Sequence, residues 1–301
     1  MIIRISFLFA GTKLKYKPGI IMGGTQYRPH DCGVSRSIAY FLEPLILLGL
    51  FAKKPLTITL KGITNDSKDP SVDISKSTVL PMLKRFGVPA EGLSLKVESR
   101  GAVNWTDEGF VKKIRGITFS TKVSAQFENS MIRAARGIFN PLLSDVHIFT
   151  DHRSGPQAGN SPGYGISLVA ETTTGCLISA DTAISHARLE ETAGLEDDSK
   201  EGLMPPEDVG RGIANILLGE IAQGGVVDST HQGLLFLLCA LCPQDFSKIR
   251  VGKLSQHGIE TLRNIRDFLN LKFVIKPDPE KQSVLLKGMG YGMKNLSRKI
   301  S

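Results

Sequence analysis

The chain has 301 residues, of which 41% are hydrophobic and 22% charged, a composition that fits a globular protein with a substantial core. No apolar run is long enough for a membrane-spanning helix. The formal net charge of +8 favours a polyanionic partner, most simply RNA or DNA, although basic proteins without such a partner also exist.

The first third of the chain predicts two helices and two strands. The opening "MIIRISFLFAG" lacks a good cleavage site, so we expect a buried strand or a replaced start rather than a signal peptide. An apolar helix follows over 34–51, a strand over 55–62, a helix over 73–86 and a strand over 93–101. Four side chains of the first helix are expected to face inward: Ile38, Phe41, Leu42 and Leu45.

The last third repeats this order of elements. The segment 232–241 is an apolar helix, 247–254 a strand, 259–271 a helix and 272–278 a strand. Each set also follows a pair of glycines, at 23–24 and at 224–225. The matching order and lengths predict a duplicated α/β module.

The middle of the chain does not repeat this order of elements. Its sequence predicts several strands and one helix, "FENSMIRAARGIF", followed by an acidic segment that is poor in large apolar residues. We therefore predict an α+β protein in three parts. Residues 1–111 and 203–301 form a large domain, and residues 112–202 form a smaller inserted α/β domain.

Two polar clusters invite a catalytic interpretation, and both have simpler explanations. Asp151 and His152 are adjacent in a predicted strand, so their side chains point to opposite faces. Asp228, Ser229 and His231 precede an apolar helix, where Asp228 or Ser229 is expected to be an N-cap.

The cysteines and the glycine-rich segment give equally ordinary predictions. Cys239 and Cys242 form a C-x-x-C, but they lie in an apolar helix and are expected to be buried thiols, neither a redox pair nor zinc ligands. The segment "AGNSPGYGIS" could bind phosphate, and a loop that leads into a strand is the preferred interpretation.

His257 is the strongest single candidate for a nucleophile. Ser255 is a plausible N-cap of the helix that follows, so His257 lies in the first turn. The positive end of a helix dipole opposes protonation of an imidazole and keeps it nucleophilic. The same position is also an ordinary surface position.

Basic residues at the start of the middle part are candidates for RNA binding. Lys112, Lys113 and Arg115 share one short predicted strand, and Arg153 follows a later strand of the same part. We predict that these four side chains contact phosphates and that binding is salt-sensitive and weakly sequence-specific.

Several longer segments carry a family resemblance. These are "HDCGVSRSIAYFLEPL", "LKGITNDSKDPSVD", "KKIRGITFSTKVS", "DHRSGPQAGNSPGYGISLVAETTTG" and "GGVVDSTHQGLLFLL". Together they resemble the RNA 3′-terminal phosphate cyclase-like proteins, from about Gly11 to Ser301. The resemblance implies a large domain of repeated modules, each with two helices and a four-stranded sheet, and a smaller inserted domain. It also implies that most of the first repeat is missing.

The resemblance bears directly on His257. In the cyclases, a histidine at this position takes AMP from ATP, within a site that also has a glycine run after Arg-Gly and an Asp-Gln pair. Here Arg100-Gly101 is followed by "AVNWTDEG", and "STHQGLLF" places Gly233 and Leu234 at the pair. Since positioning and charge stabilisation supply most of the rate in phosphoryl transfer, we expect no cyclase activity, no bound cofactor and no metal.

The function implied by the resemblance is that of a non-catalytic factor of ribosome biogenesis. It would act in the nucleolus of the nucleus, in early pre-rRNA processing for the small subunit. Its partners would be pre-rRNA, the small nucleolar ribonucleoprotein of the small-subunit processome, and a GTPase. The alternative is an RNA-processing enzyme, either a cyclase that uses His257 or a pre-rRNA endonuclease.

Overall fold

Runs of strands and helices follow one another along the chain, and the strands form mixed and antiparallel sheets, in agreement with the predicted α+β class. The computed structural model describes residues 5–6, 15–16, 20–88, 102–158, 162–185 and 204–293. The helices are α1 (Ile38–Gly49), α2 (Val72–Ile74), α3 (Leu80–Arg85), α4 (Gln126–Phe139), α5 (Pro206–Ala222), α6 (Gln232–Leu241) and α7 (Gln256–Leu269). In the described part of the chain, no helix is both long and apolar enough to cross a membrane.

The strands fall into two larger sheets and several short pairs. They are β1 (Ile5–Ser6), β2 (Lys15–Tyr16), β3 (Gly24–Thr25), β4 (His30–Asp31), β5 (Leu56–Thr57), β6 (Leu60–Lys61), β7 (Asn104–Trp105), β8 (Val111–Thr121), β9 (Val146–Arg153), β10 (Gly163–Thr172), β11 (Leu177–Ser185), β12 (Phe246–Val251), β13 (Val274–Asp278) and β14 (Ser283–Met289). The strand expected at the start is present as the short β1, which pairs with β2.

The first copy of the repeat has the predicted order of helices. The predicted helix over 73–86 is a continuous helical segment in which a π-helix, Ser75–Val79, joins α2 to α3. Pro81 lies just after the π-helix and has no N–H to donate, which explains the local change in hydrogen bonding. The predicted strand over 55–62 is split into β5 and β6, which pair in parallel with β3 and β4. The predicted strand over 93–101 lies outside the described residues.

The inward face predicted for α1 is confirmed only in part. Leu42 packs against the core as predicted, but the fully buried residues of α1 are Ala39, Ile46 and Gly49, and Ile38, Phe41 and Leu45 are only half-buried. Because α1 is apolar on nearly all sides, its periodicity does not select the face that packs on the core.

The last copy forms a complete two-helix, four-stranded module. Its sheet has the order β13-β14-β12-β7, and α6 and α7 contribute to the core on one face of it. Strand β7 pairs in parallel with β12, although the whole middle part of the chain separates them. The middle part is therefore inserted within this module, after its first strand.

The inserted part has its own sheet and its own core. The sheet order is β11-β10-β8-β9, and α4 and α5 pack on one face. The sequence assigns α5 to the last part of the chain, at 203–301, yet Val209, Ile213 and Leu217 of α5 lie in the core of the inserted sheet. Gly210 permits this packing, because a Cβ there would lie 2.4 Å from the carbonyl oxygen of Met131.

The two glycine pairs have the same backbone conformation. The φ angles are +68° and +102° at Gly23 and Gly24, and +68° and +113° at Gly224 and Gly225. Side chains with a Cβ rarely adopt these angles. The agreement of two unusual conformations in a row supports the duplication predicted from the order of elements.

Candidate functional site

A cavity of about 1050 Å³ lies beside α1 and reaches the N-terminal ends of α6 and α7. Its apolar wall includes Phe41, Leu42 and Leu45 of α1. The titratable side chains that line it are His30, Arg36, Tyr40, Glu43, Lys68, Asp69, His231 and His257. The cavity thus brings both sequence candidates from the last repeat, His231 and His257, to one place.

His231 and Asp228 form a buried pair at the edge of this cavity. His231 Nδ1 lies 2.7 Å from Asp228 Oδ1, and His231 Nε2 lies 2.9 Å from the hydroxyl oxygen of Thr78. Asp228 Oδ2 accepts hydrogen bonds from the backbone N–H and the hydroxyl of Ser179, at 2.9 and 2.7 Å. Because Thr78 lies in the π-helix and Ser179 in β11, the pair connects both repeats and the inserted part.

The surroundings of His231 favour its protonated form. The Thr78 hydroxyl lies 2.7 Å from the Ile74 carbonyl oxygen, and when it donates to this oxygen it accepts from Nε2 of His231. Nδ1 faces a carboxylate, which also accepts. Burial lowers the pKa of His231, but the charge and hydrogen bond of Asp228 outweigh burial and raise this pKa above its usual value.

Asp228 is correspondingly held as an anion. Burial alone would raise its pKa, but His231 and Ser179 more than compensate, and the pKa of Asp228 lies below its usual range. Its Oδ1 also accepts from the backbone N–H groups of Thr230 and His231, each at 3.1 Å. The sequence predicts Asp228 or Ser229 as the N-cap of α6, but His231 occupies this position. Asp228 instead accepts hydrogen bonds within the turn that precedes the helix.

His257 lies where the sequence predicts, but its ring is not oriented by a partner. The Ser255 hydroxyl accepts from the Gly258 N–H at 3.1 Å, which confirms the predicted N-cap. The imidazole is exposed and has no hydrogen-bond partner among the described residues. It lies against Gly233 of α6, where a Cβ would be 2.5 Å from Nε2.

Arg36, the arginine that lines the cavity, is paired with Asp69 and stacks on Tyr40. Arg36 Nε lies 2.8 and 3.1 Å from the two carboxylate oxygens of Asp69, and the guanidinium lies 3.8 Å from the ring centroid of Tyr40. Hydrogen bonding to Arg36 lowers the pKa of Asp69 below its usual value despite partial burial. Asp69 also accepts from the Ser37 N–H at 3.0 Å, so this pair fixes the start of α1.

The four residues predicted to bind RNA are all paired with carboxylates. Lys112 and Lys113 lie 2.7 and 2.8 Å from Glu171. Arg115 binds Asp145 through two nitrogens, at 2.8 and 3.0 Å, and Arg153 binds Asp151 at 2.7 Å. These four pairs are partly exposed, and RNA binding by the four residues stays a prediction.

The strand register separates the members of this set. On β8 and β9, Arg115 is level with His147, whereas Arg153 is level with Thr121, six residues further along β8. At about 3.3 Å per residue, this offset corresponds to roughly 20 Å. The set is therefore spread along the sheet.

The alternation predicted for Asp151 and His152 is confirmed. His152 Nδ1 lies 2.7 Å from the Ser120 hydroxyl, on the face where Ser120 also contacts the buried Glu128. Asp151 binds Arg153 on the opposite face. These two neighbouring residues do not act on each other.

The two cysteines and the glycine-rich segment are the remaining candidates from the sequence. Cys239 and Cys242 are buried thiols, and burial raises the pKa of Cys239 far above its usual value. In the segment "AGNSPGYGIS", residues 163–167 begin β10, and 159–161 lie outside the described residues. Among the residues that the structure describes, no group of three or more His, Cys, Asp or Glu side chains could hold a metal ion.

The sequence did not reveal the contacts of His231 with Thr78 and of Asp228 with Ser179. Thr78 and Ser179 lie 153 and 49 residues away from them along the chain. The only available signal was the polar run Asp228–His231 between two apolar segments, which fits a simple turn equally well.

Comparison with known proteins identifies the family. A family model described as RNA 3′-terminal phosphate cyclase matches residues 4–275. A probable RNA 3′-terminal phosphate cyclase-like protein of Arabidopsis thaliana is 61% identical, over 97% of this chain and 82% of that protein. The human RNA 3′-terminal phosphate cyclase-like protein is 41% identical, over 99% and 83%. A Schizosaccharomyces pombe protein named rRNA processing protein rcl1 is 36% identical, over 98% and 83%. The relatives from Arabidopsis thaliana and human are named cyclase-like. The chain therefore belongs to the RNA 3′-terminal phosphate cyclase family.

Proposed function

We propose that this protein is a non-catalytic factor that acts in early pre-rRNA processing for the small ribosomal subunit. The names of its relatives support this: those from Arabidopsis thaliana and human are cyclase-like proteins, and the relative from Schizosaccharomyces pombe is named for rRNA processing. The place of action would be the nucleolus of the nucleus. The basic net charge of +8 fits an RNA partner.

The observation that carries this proposal is the structure of the residues that follow Arg100-Gly101. In this family, the cyclases have a glycine run there, which forms a backbone nest suited to phosphate. In this chain, Val103 and Trp105 are instead buried in the core, and 104–105 form β7 of the last sheet. A packed strand cannot bind a triphosphate through a row of free backbone N–H groups.

The surroundings of His257 support the same conclusion. A histidine nucleophile is normally oriented by a hydrogen bond to its second ring nitrogen. His257 has no such partner among the described residues, and Arg36 of the same cavity is occupied by Asp69. The well-oriented histidine of this cavity is His231, and both of its ring nitrogens are used for internal contacts.

We further propose that pre-rRNA, the small nucleolar ribonucleoprotein of the small-subunit processome and a ribosome-biogenesis GTPase are the partners. The junction at Asp228 and His231 supports a scaffold role, because it fixes the two repeats and the inserted part relative to one another. A rigid arrangement of three parts can present separate surfaces to an RNA and to a protein.

The test is depletion of the protein in its own cells, followed by complementation. We expect small-subunit rRNA precursors to accumulate on depletion, and both the wild-type chain and His257→Ala to restore processing. Precursor levels are measured by hybridisation to spacer probes. Failure of His257→Ala to complement, at normal protein levels, would show that the imidazole has a chemical role and would contradict the proposal. Normal precursor levels after depletion would contradict it as well.

A further inference from the structure

The last sheet has one face covered by helices and one face open to solvent. Along β12, Ser247, Ile249 and Val251 are buried, whereas Phe246 and Lys248 are exposed. The register with β14 repeats this alternation, since Ile249 pairs with the buried Leu286. The open face therefore presents alternate residues of β12, β13 and β14.

Three lysines lie together on this open face. Lys248 and Lys287 are direct cross-strand partners on β12 and β14. Lys276 of β13 is opposite Leu285, two residues from Lys287 along β14. All three side chains are exposed, and none has an ion pair with a carboxylate of the described residues. This distinguishes them from the paired cations of the inserted sheet.

The placement of Lys248 opposite Lys287 is electrostatically unfavourable. Like charges that face each other directly across two strands repel and destabilise the sheet. A carboxylate at either position would remove that repulsion. Two lysines in register, with a third beside them, fit a surface whose charge is neutralised by an anionic ligand.

An exposed aromatic ring adjoins the lysines. Phe246 is 56% exposed and is the cross-strand partner of Met289, on the same face. The ammonium of Lys287 lies 4.5 Å from the centroid of the Phe246 ring, so the ring and the lysine pack on each other. An aromatic ring held on a sheet beside cations is a surface on which an unpaired base can stack.

One further cation of the same face, Arg250, is already engaged in contacts within the protein. Arg250 donates to Asp278 and to the Ser283 hydroxyl, each at 2.7 Å, and to the Thr106 carbonyl at 2.9 Å. Its guanidinium is nearly buried and serves the structure of the sheet. Arg250 is therefore not available to a ligand, whereas Lys248, Lys276 and Lys287 on the same face are exposed.

We propose that Phe246, Lys248, Lys276 and Lys287, which we call the sheet-face site, bind a single-stranded segment of RNA. The lysines contact phosphates and Phe246 stacks on a base. The site rests on the proposed function, since it names the surface through which the protein would hold unpaired pre-rRNA. Single-stranded RNA is favoured over a duplex because the bases of a duplex are stacked on each other and cannot reach Phe246.

The test measures binding of a fluorescent, unstructured polyuridine RNA to the full chain at several salt concentrations. In one variant, Lys248, Lys276 and Lys287 are all replaced by Gln. We expect its affinity to fall about tenfold or more, and its salt slope to fall by about 2, since each phosphate contact contributes about 0.7 for single strands. Phe246→Leu should lower the affinity about fivefold or more with an unchanged salt slope.

A matched control removes three other exposed lysines, Lys61, Lys84 and Lys272, by substitution with Gln. It has the same net charge as the sheet-face variant, so it accounts for the general effect of charge. A second variant, Lys248→Glu, separates binding from folding. It should weaken RNA binding without lowering the melting temperature, because it replaces a repulsive cross-strand pair with an attractive one.

Equal affinities of the sheet-face variant and the control would overturn the site but leave the role in pre-rRNA processing untouched. Loss of protein partners from the sheet-face variant, with full RNA affinity, would overturn it in favour of a protein-binding face. Normal precursor levels after depletion would contradict the proposed function even if the oligonucleotide binds at this site.

Discussion

Asp228 and His231 form a buried ion pair, with 2.7 Å between Oδ1 and Nδ1, at the point where three parts of the chain meet. Both side chains are nearly inaccessible to solvent, and every hydrogen-bonding atom of the pair has a partner. A buried pair of this kind fixes an arrangement more than it adds net stability, because desolvation offsets much of the attraction. Its loss should therefore affect how the parts are held together.

Replacement of Asp228 by Asn should destabilise the protein strongly. The imidazole of His231 would then lie buried without its anion, and breaking a buried pair by removing one partner costs about 3–5 kcal/mol. Urea unfolding at neutral pH measures the free energy of unfolding. Asp208→Asn is the control, because Asp208 is exposed on α5 and, among the described residues, its side chain forms an ion pair only with Arg211; it should change stability by less than about 0.5 kcal/mol.

The same pair should make stability depend on pH. The pKa of His231 is raised in the folded state, so its contribution is complete below its unfolded pKa of about 6.5 and is lost as the pH rises through the folded pKa. The pKa of Asp228 is lowered, so its contribution is present above about pH 4 and is lost as the pH falls through the folded pKa.

The measurement is urea unfolding of the wild type and of His231→Gln between pH 5 and pH 9. We expect the wild type to lose stability on the alkaline side and the variant to show a flatter profile there. An unchanged profile in the variant would mean that another group is responsible.

No covalent adenylate should form on this protein. Incubation with α-labelled ATP and magnesium, followed by denaturing electrophoresis, detects an AMP adduct directly. We expect none, because the phosphate nest is replaced by β7 and His257 has no orienting partner in the described part of the chain. A labelled band in the wild type that is absent from His257→Ala would show that adenylation survives without the nest.

Sequence alone predicts the elements well and their contacts poorly. The alternation along β9 correctly separates Asp151 from His152, and Ser255 is correctly placed as an N-cap, because both depend on neighbours in the chain. The partners of Lys112 and Arg115, by contrast, are Glu171 and Asp145, which only the sheet brings together. A pattern of charges along one strand cannot show which of them are neutralised by another.

The same limit explains why the sequence does not point to the sheet-face lysines. Lys248, Lys276 and Lys287 are spread over forty positions of the chain, and no local cluster marks them. They meet only because β12 and β13 both pair with β14. The sequence instead drew attention to Lys112, Lys113 and Arg115, which are close along the chain.

The four paired cations of the inserted part should contribute less per charge to RNA binding than the sheet-face lysines. Replacing Lys112, Lys113, Arg115 and Arg153 by Ala removes these cations from Glu171, Asp145 and Asp151. We expect a weaker affinity for RNA and a change in salt slope of less than about 3, the value for four full phosphate contacts. Fluorescence anisotropy over a salt series checks this. A drop in slope as large as that value would show that these cations leave their carboxylates and contact phosphate directly.

The two glycines of the second pair should respond differently to substitution by alanine. At Gly224, φ is +68° and the nearest atom to an added Cβ is 3.8 Å away, so only the backbone cost of about 1–2 kcal/mol applies. At Gly225, φ is +113° and the Cβ would lie 2.5 Å from the backbone nitrogen of Gly252, which cannot move aside without disturbing the end of β12. Gly225→Ala should therefore cost about 3 kcal/mol or more in unfolding free energy, counting backbone strain and overpacking together. Urea unfolding of the two variants side by side measures the difference, and equal losses would mean that the approach of Gly225 to Gly252 does not constrain the module.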